Sequence, residues 1–404
     1  MRESLRPVLI DVTRLVSRSW TRRRSTGIDR VCYAYLRQYR HRALAVVQHR
    51  GMIRVLGYRR SDQLFDMLLA PSRGFRAKFA AWFPAAFFGP APAIDLAGLT
   101  YLNVSHTDFD LTEQIDWIER NRLRPVYFVH DLIPILRPDL SRPHAVARHQ
   151  GRVRRALRHA EVIVVASQVV ARDLAAYARS HSLRLPRIVI APLAGQDLFA
   201  QPAGKTAARR EDRPHFVCVG TIEPRKNHAL LLDVWTELAD RLGDDTPVLT
   251  IAGQTGPMTG TILDPLRKRA GLSRHVSVRH DCRDAELAGL VANASALLFP
   301  SLAEGFGLPL VEGLAAGTPV IASDIPIFRE IGQGCAQLID PGNPAAWRDA
   351  ICAAAGIPVC HDTRAARADA FAAPSWADHF ELVEAAIMPG GLKTASACES
   401  SLVA

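Results

Sequence analysis

Paired cysteines are missing from this sequence. Its 404 residues include seven, Cys32, Cys218, Cys282, Cys335, Cys352, Cys360 and Cys398. They are odd in number, scattered, and never spaced C-x-x-C, so neither a disulfide framework nor a zinc site organises the chain and a reduced, cytosolic setting is expected. Long apolar runs are missing too. Nothing approaches the ~20 residues of a bilayer-spanning helix, and Met1 leads through charged residues straight into Val8-Leu-Ile10, so no signal peptide is expected. Acidic residues are the scarcer charge: 40 Asp and Glu against 50 Lys and Arg leave a formal net charge of +10. That excess points to an anionic partner, for which nucleic acid, anionic lipid and phosphate-rich substrates all qualify. A 48% hydrophobic and 22% charged composition excludes a disordered chain, and the length accommodates two domains with separate cores.

What is present is densest from Glu304 to Asp324, EGFGLPLVEGLAAGTPVIASD. The apolar run Ala296-Leu-Leu-Phe-Pro300 before it has the length and bounding proline of a buried strand. Glu304-Gly-Phe-Gly-Leu308 then reads as a turn, Pro309 as the first position of a helix capped by Gly317, and Val320 as the start of another strand. A helix N-terminus fed by glycines presents unpaired N–H groups and a partial positive charge, which bind phosphate without a lysine. Glu304 and Glu312 flank it, and carboxylates there accept hydrogen bonds from sugar or ribose hydroxyls. The dinucleotide fingerprint G-x-G-x-x-G is not met, because Leu310 stands where its third glycine belongs. A plain tight turn is the competing reading.

In the first half, strands are expected at Val8-Leu-Ile10, Thr100–Val104, Pro125–Val129, Glu161–Val165 and Arg187–Ile190, with helices between them. This is the alternation of a parallel sheet, whose ligands bind beyond the carboxyl ends of the strands. Arg14, Arg18, Arg22, Arg23 and Arg24 precede Thr26-Gly27 at a helix entrance, which is either a second phosphate dock or a solvated basic loop. Gly74–Phe88 places Phe75, Phe79, Trp82 and Phe83 near one helical face until Pro84 breaks the run, suiting either a membrane interface or the core. Ser105-His106-Thr107-Asp108 and His130-Asp131 end two strands. His130 could bond a sugar hydroxyl or could pair with Asp131 in the core. Asp108-Phe-Asp110 is a D-x-D that could hold a cation, but it also simply leads into a helix.

The polar stretch 201–214 reads as a linker. Beyond it, strand Phe216–Val219 delivers Gly220-Thr-Ile-Glu-Pro-Arg-Lys-Asn227, where Arg225 and Lys226 could neutralise a diphosphate or could be an ordinary surface pair. Strands at Leu249–Ala252 and Val276–Val278 continue a second sheet. A last helix runs from Ser375-Trp376 to about Ile387, and the Gly-, Ser- and Ala-rich tail 389–404 is expected to be disordered.

The E-x7-E pair Glu304 and Glu312, GTIEPRKNH and VYFVHDLIPI together resemble the family 4 retaining glycosyltransferases, more closely in the second half of the chain. The resemblance implies the α/β GT-B fold, two Rossmann-like doubly wound domains facing across a cleft. They would be 1–200, on the acceptor side, and 215–374, binding the nucleotide sugar, with a helix at 375–388 crossing back to the first. It implies that Gly220, Arg225, Lys226, Gly305, Phe306, Gly307 and Leu308 hold the donor diphosphate, that Glu312 holds the ribose and that Glu304 holds the sugar. His130 would face the sugar, and Asp281–Arg283 would lie by the base. Thr26, Gly27, His106 and Asp131 are candidates for the acceptor or phosphate side. VHDLIPI and GTIEPRKN are most similar to bacterial surface-polysaccharide mannosyltransferases. This implies GDP-mannose as donor, with a UDP-sugar or dTDP-rhamnose as alternatives. A lipid-linked saccharide would be the acceptor, the inner face of the cytoplasmic membrane the location, and neither a metal cofactor nor nucleic acid would be needed. A sugar-nucleotide epimerase of similar architecture and a non-catalytic basic surface protein remain as other classes.

Overall fold

The computed structural model describes residues 6–22, 25–49, 51–70, 74–90, 92–106, 109, 111–200, 213–256, 258–269, 271–358 and 370–387. Arg23, Arg24, the D-x-D carboxylates Asp108 and Asp110, all but the last two residues of the 201–214 linker, and the 389–404 tail lie outside them. The chain separates into two compact units, Met1–Pro192 with Trp376–Ala404, and Leu193–Ser375. The first boundary thus falls at Pro192 and not at 200. The residues after it pack within the second unit, where Gln196 Nε2 donates to Asp284 Oδ2 at 3.3 Å and Gly195 lies against Glu312.

Among the described residues, seven strands build the first unit: β1 (Val8–Asp11), β2 (Ala43–His49), β3 (Met52–Val55), β4 (Thr100–Asn103), β5 (Arg124–Phe128), β6 (Val162–Val165) and β7 (Arg187–Ile190). Their order is β3-β2-β1-β4-β5-β6-β7, with β3 alone antiparallel, on the β2 edge. Strands such as VLID and VIVV are buried along their whole length, as expected where helices cover both faces of a parallel sheet. Leu9, Leu44, Tyr101, Tyr127 and Ile163 join one core cluster with Leu157 and Leu174 from the helices. At ~1.5–3 kcal/mol for each fully buried large apolar side chain, such clusters supply most of the driving force for folding. The basic stretch after β1 is a helix, Thr13–Thr21, because Leu15 and Val16 bury a face under its arginines.

Among the described residues, the second unit holds six parallel strands: β8 (His215–Val219), β9 (Val248–Ala252), β10 (Val276–Arg279), β11 (Ala296–Phe299), β12 (Val320–Ser323) and β13 (Gln337–Ile339). Their order is β10-β9-β8-β11-β12-β13. Trp235 and Trp347, both fully buried, join Phe216, Leu249, Leu298 and Ile321 in its core.

The helix Trp376–Ile387 packs in the first unit. Its buried His379 accepts the Tyr35 hydroxyl at Nε2 (2.9 Å), and Nδ1–H faces the carbonyls of Ala191 and Pro192, each at 3.1 Å. Gln38 and Arg42 bind Glu384 on the same helix.

Candidate active site

Chain order reverses at one place in the second sheet. From β8 the chain steps to β9 on one side, while β11 lies on the other. Crevices at such switch points are where open α/β sheets take ligands. Gly220–Asn227 follows β8 and Ser301–Leu308 follows β11, so the two motifs meet there. Arg225 Nη1 lies 2.7 Å from Glu304 Oε2, and Lys226 Nζ lies 2.5 Å from Glu304 Oε1. Arg225 also binds Glu223 at 2.7 Å and donates to the Ala303 carbonyl at 2.8 Å. Lys226 Nζ sits 4.7 Å from the centre of the Phe299 ring, within cation–π range.

Burial by itself pushes the Glu304 carboxyl up, but Arg225 and Lys226 outweigh it and hold the pKa at about 2. Burial lowers the Lys226 ammonium below its ordinary value while Glu304 pulls it back up. The result is an ionised cluster whose cations are already oriented. Gly220 permits it: its φ of +152° is one that side chains rarely adopt, and a Cβ there would lie 3.2 Å from Lys226 Cε.

The helix Leu308–Ala315 starts from Gly307, at φ +112°, where a Cβ would lie 2.8 Å from Phe328 Cε1. Pro309 therefore takes the second helical position, one later than expected. Gly317 closes the helix as a Schellman motif: its N–H donates to the Leu314 carbonyl, and Thr318 N–H donates to that of Gly313. Among the described residues, the N–H groups of Phe306, Gly307 and Leu308 have no hydrogen-bond acceptor. Glu312 is buried in this helix, and Gly195 leaves it room, since a Cβ at 195 would lie 3.0 Å from Glu312 Cγ.

In the first sheet the order reverses between β1 and β4. His106 follows β4 and His130 follows β5, with ring centres 4.9 Å apart. The His130 backbone N–H donates to His106 Nε2 at 3.0 Å, and His130 Nε2 lies 2.7 Å from the Val104 carbonyl. Burial holds the His130 imidazole at a pKa of about 4 and pushes His106 well below its ordinary value, so both are neutral near pH 7. Asp131 does not pair with His130: its Oδ1 accepts the Ile133 N–H at 3.0 Å, and its carbonyl faces His149 Nε2 at 2.9 Å.

Residues 213–356 match the family described as Glycosyl transferases group 1. Over 267 residues, 62% of this chain and 32% of the relative, the chain is 31% identical to the serotype-specific mannosyltransferase WbdA of Escherichia coli. It is 32% identical to the O-antigen chain mannosyltransferase RfbU of Salmonella typhimurium over 146 residues, 35% of this chain and 39% of that one. It thus spans about a third of the length of the curated relatives it matches first. The solved structure of Anabaena HepE in complex with UDP-glucose aligns with a TM-score of 0.59 at 16% identity, over 86% of this chain and 89% of that one. That likeness shows the fold: two Rossmann-like units, GT-B.

Outside residues 213–356, two expected features take definite form. Thr26 is committed to its own helix, its N–H and hydroxyl donating to Asp29 Oδ2 at 2.7 and 2.8 Å, so the Thr26-Gly27 entrance is closed by a carboxylate. Arg14 and Arg18 bind that buried Asp29 at 2.6 and 3.0 Å. The aromatic segment is one helix, Phe75–Phe88, with Pro84 inside it and not ending it. Rings at i, i+4 spacing, Phe79 on Phe83 and Phe83 on Phe87, carry packing past the proline. Phe75, Phe79 and Phe87 are buried, whereas Phe88 is 64%, Met52 48% and Trp20 41% exposed.

Sequence reasoning missed His149, Gly195 and Phe299. His149, one of three histidines in an arginine-rich helix with His144 and His159, gave no sign of its strand-end partner. Phe299 was read only as strand core.

Proposed function

We propose that the chain is a retaining glycosyltransferase that moves a hexosyl group from a nucleoside diphosphate sugar, GDP-mannose first, to a lipid-linked saccharide in cell-surface polysaccharide assembly. One observation carries the reading: Arg225, Lys226 and Glu304 meet at the switch point beside the uncommitted N–H groups of Phe306, Gly307 and Leu308. Breaking the anomeric C–O bond builds negative charge on the departing diphosphate and positive charge on the sugar. Donors oriented beforehand toward the diphosphate lower that barrier. Arg225, Lys226 and the N–H groups serve this end, Glu304 and Glu312 accept hydroxyls of the sugar and ribose, and His130, in the first unit, offers a ring nitrogen to a substrate hydroxyl. The acceptor oxygen attacks from the face the diphosphate leaves, and the leaving phosphate takes the acceptor's proton. The two cations supply the charge compensation, so the reaction needs no metal.

The mannosyltransferase names of the relatives support mannose as the sugar. Exposed Trp20, Met52 and Phe88, with Arg76 and Lys78 on a helix that has no acidic residue, support docking at an anionic membrane face. A panel of GDP-, UDP- and dTDP-sugars, assayed for nucleotide release with and without EDTA, tests the reading. Release from GDP-mannose unaffected by EDTA is expected. Release from another sugar nucleotide replaces the donor, and conversion of the donor sugar without transfer replaces the reaction. An inverted anomer in the NMR spectrum of the product overturns retention, and failure to bind anionic liposomes overturns the membrane assignment.

A further inference from the structure

We propose that His106 and His149 are positioning residues that hold the backbone at His130 and Asp131 so that the His130 Nε2–H stays on the Val104 carbonyl and Nδ1 stays bare, and His130 meets its ligand as a hydrogen-bond acceptor. The inference builds on the reading of His130 as a substrate-facing group.

The tautomer follows from which neighbours can only accept or only donate. The Val104 carbonyl 2.7 Å from His130 Nε2 can only accept, so that nitrogen carries the proton. His106 Nε2 receives the His130 backbone N–H at 3.0 Å, so it must be bare and the His106 proton lies on Nδ1. A charged His106 would set donor against donor. His149 Nε2–H donates to the Asp131 carbonyl at 2.9 Å, which ties the helix Pro143–His159 to the residue after His130. Phe128 stacks on the His130 ring with centres 4.5 Å apart and fixes its plane.

The backbone gives a second, independent sign. His106 has φ +60°, a left-handed conformation that glycine takes without strain. A strained histidine kept there, with its ring nitrogen committed to the His130 N–H, is accounted for by what that ring holds. Burial first, then His130, His149, Arg152 and Arg14 oppose protonation of His106; burial also lowers His130, against which the Val104 carbonyl, Asp131 and Asp29 act. A neutral acceptor nitrogen recognises a hydroxyl proton and repels a phosphate oxygen. His130 therefore reads a hydroxyl of the ligand, and the anionic part must be bound elsewhere.

The test combines 15N NMR of the histidine rings with turnover of the nucleotide sugar found active in the panel. His106→Gly suits φ +60° and so removes the ring without adding backbone strain. Expected are an Nε2–H signal for His130 in the unsubstituted protein, and mixed tautomers in His106→Gly. That variant should also lose about tenfold in kcat/KM, the scale of one hydrogen bond. His149→Gln, whose amide can still donate to the Asp131 carbonyl, should restore most of what His149→Ala loses. An Nδ1–H His130 in the unsubstituted protein overturns the proposal. So does a His106→Gly protein with unchanged tautomer and turnover, or equal loss in His149→Gln and His149→Ala. Absence of turnover with every sugar nucleotide defeats the functional reading alone, because the tautomers remain readable by NMR.

Discussion

At the edge of the second sheet, burial meets two cations and Glu304 stays ionised, its pKa held at about 2. At the edge of the first, burial meets carbonyls and a backbone N–H, and His130 stays neutral, its pKa held at about 4. Both places lie past the carboxyl ends of parallel strands, and both are largely shielded from water. At the second edge the two cations overrule burial; at the first burial prevails, because the Val104 carbonyl and Asp131 raise the His130 pKa too little to offset it. An edge of ionised, oriented groups suits a ligand whose charge grows during reaction. An edge of neutral groups with fixed protons suits recognition of hydroxyls.

The strongest way to break this contrast is at the charged edge. Lys226→Ala and Glu304→Ala should each reduce nucleotide-sugar turnover ~10²–10³-fold, as loss of one oriented electrostatic group does elsewhere. Turnover within a fewfold of the parent would mean the cluster is structural. Gly307→Ala comes next. Its Cβ would meet Phe328 at 2.8 Å with φ +112°, so a loss of roughly 1–3 kcal/mol in urea unfolding is expected. His379→Ala should cost about 1–3 kcal/mol by leaving the buried Tyr35 hydroxyl and two carbonyls short of a partner.

The smallest effect separates the two edges by pH. His130 and His379 have folded pKa values of about 4, below 6.5, so the unfolded chain binds more protons and the stability they contribute falls as pH drops from 6.5 toward 4. Glu304 has the same sign in a lower window, from 4.5 toward about 2. Acid titration of unfolding should show a smaller upper phase in His379→Gln, with the His130 part remaining, and a smaller lower phase in Glu304→Gln. Identical profiles in both variants would remove the distinction.

The parallel α/β plan was legible because strands such as Val162–Val165 and Ala296–Phe299 are short apolar runs between helical patterns, and local sequence decides those. β2 was not, since Ala43–His49 ends in Gln48 and His49 and owes its strand form to pairing with β1 and β3. β13, Gln337–Ile339, is too short to carry a period. In the site, Arg225, Lys226 and Glu304 were legible as separate motifs. Their mutual ion pairs were not, because the contact joins the turns that follow β8 and β11, which only sheet order brings together. His149 was invisible for the same reason, its partner being a carbonyl that sequence cannot mark.

The central claim is that the Arg225–Lys226–Glu304 cluster binds the diphosphate of a sugar nucleotide. Thermal unfolding of the parent chain and of Lys226→Ala against the sugar-nucleotide panel tests it most directly. A ligand at ~100 times its Kd stabilises by about 2.7 kcal/mol, worth several degrees in Tm. The account predicts such a rise for at least one sugar nucleotide in the parent chain and its loss in Lys226→Ala. No rise with any sugar nucleotide, or an equal rise in both proteins, would contradict it.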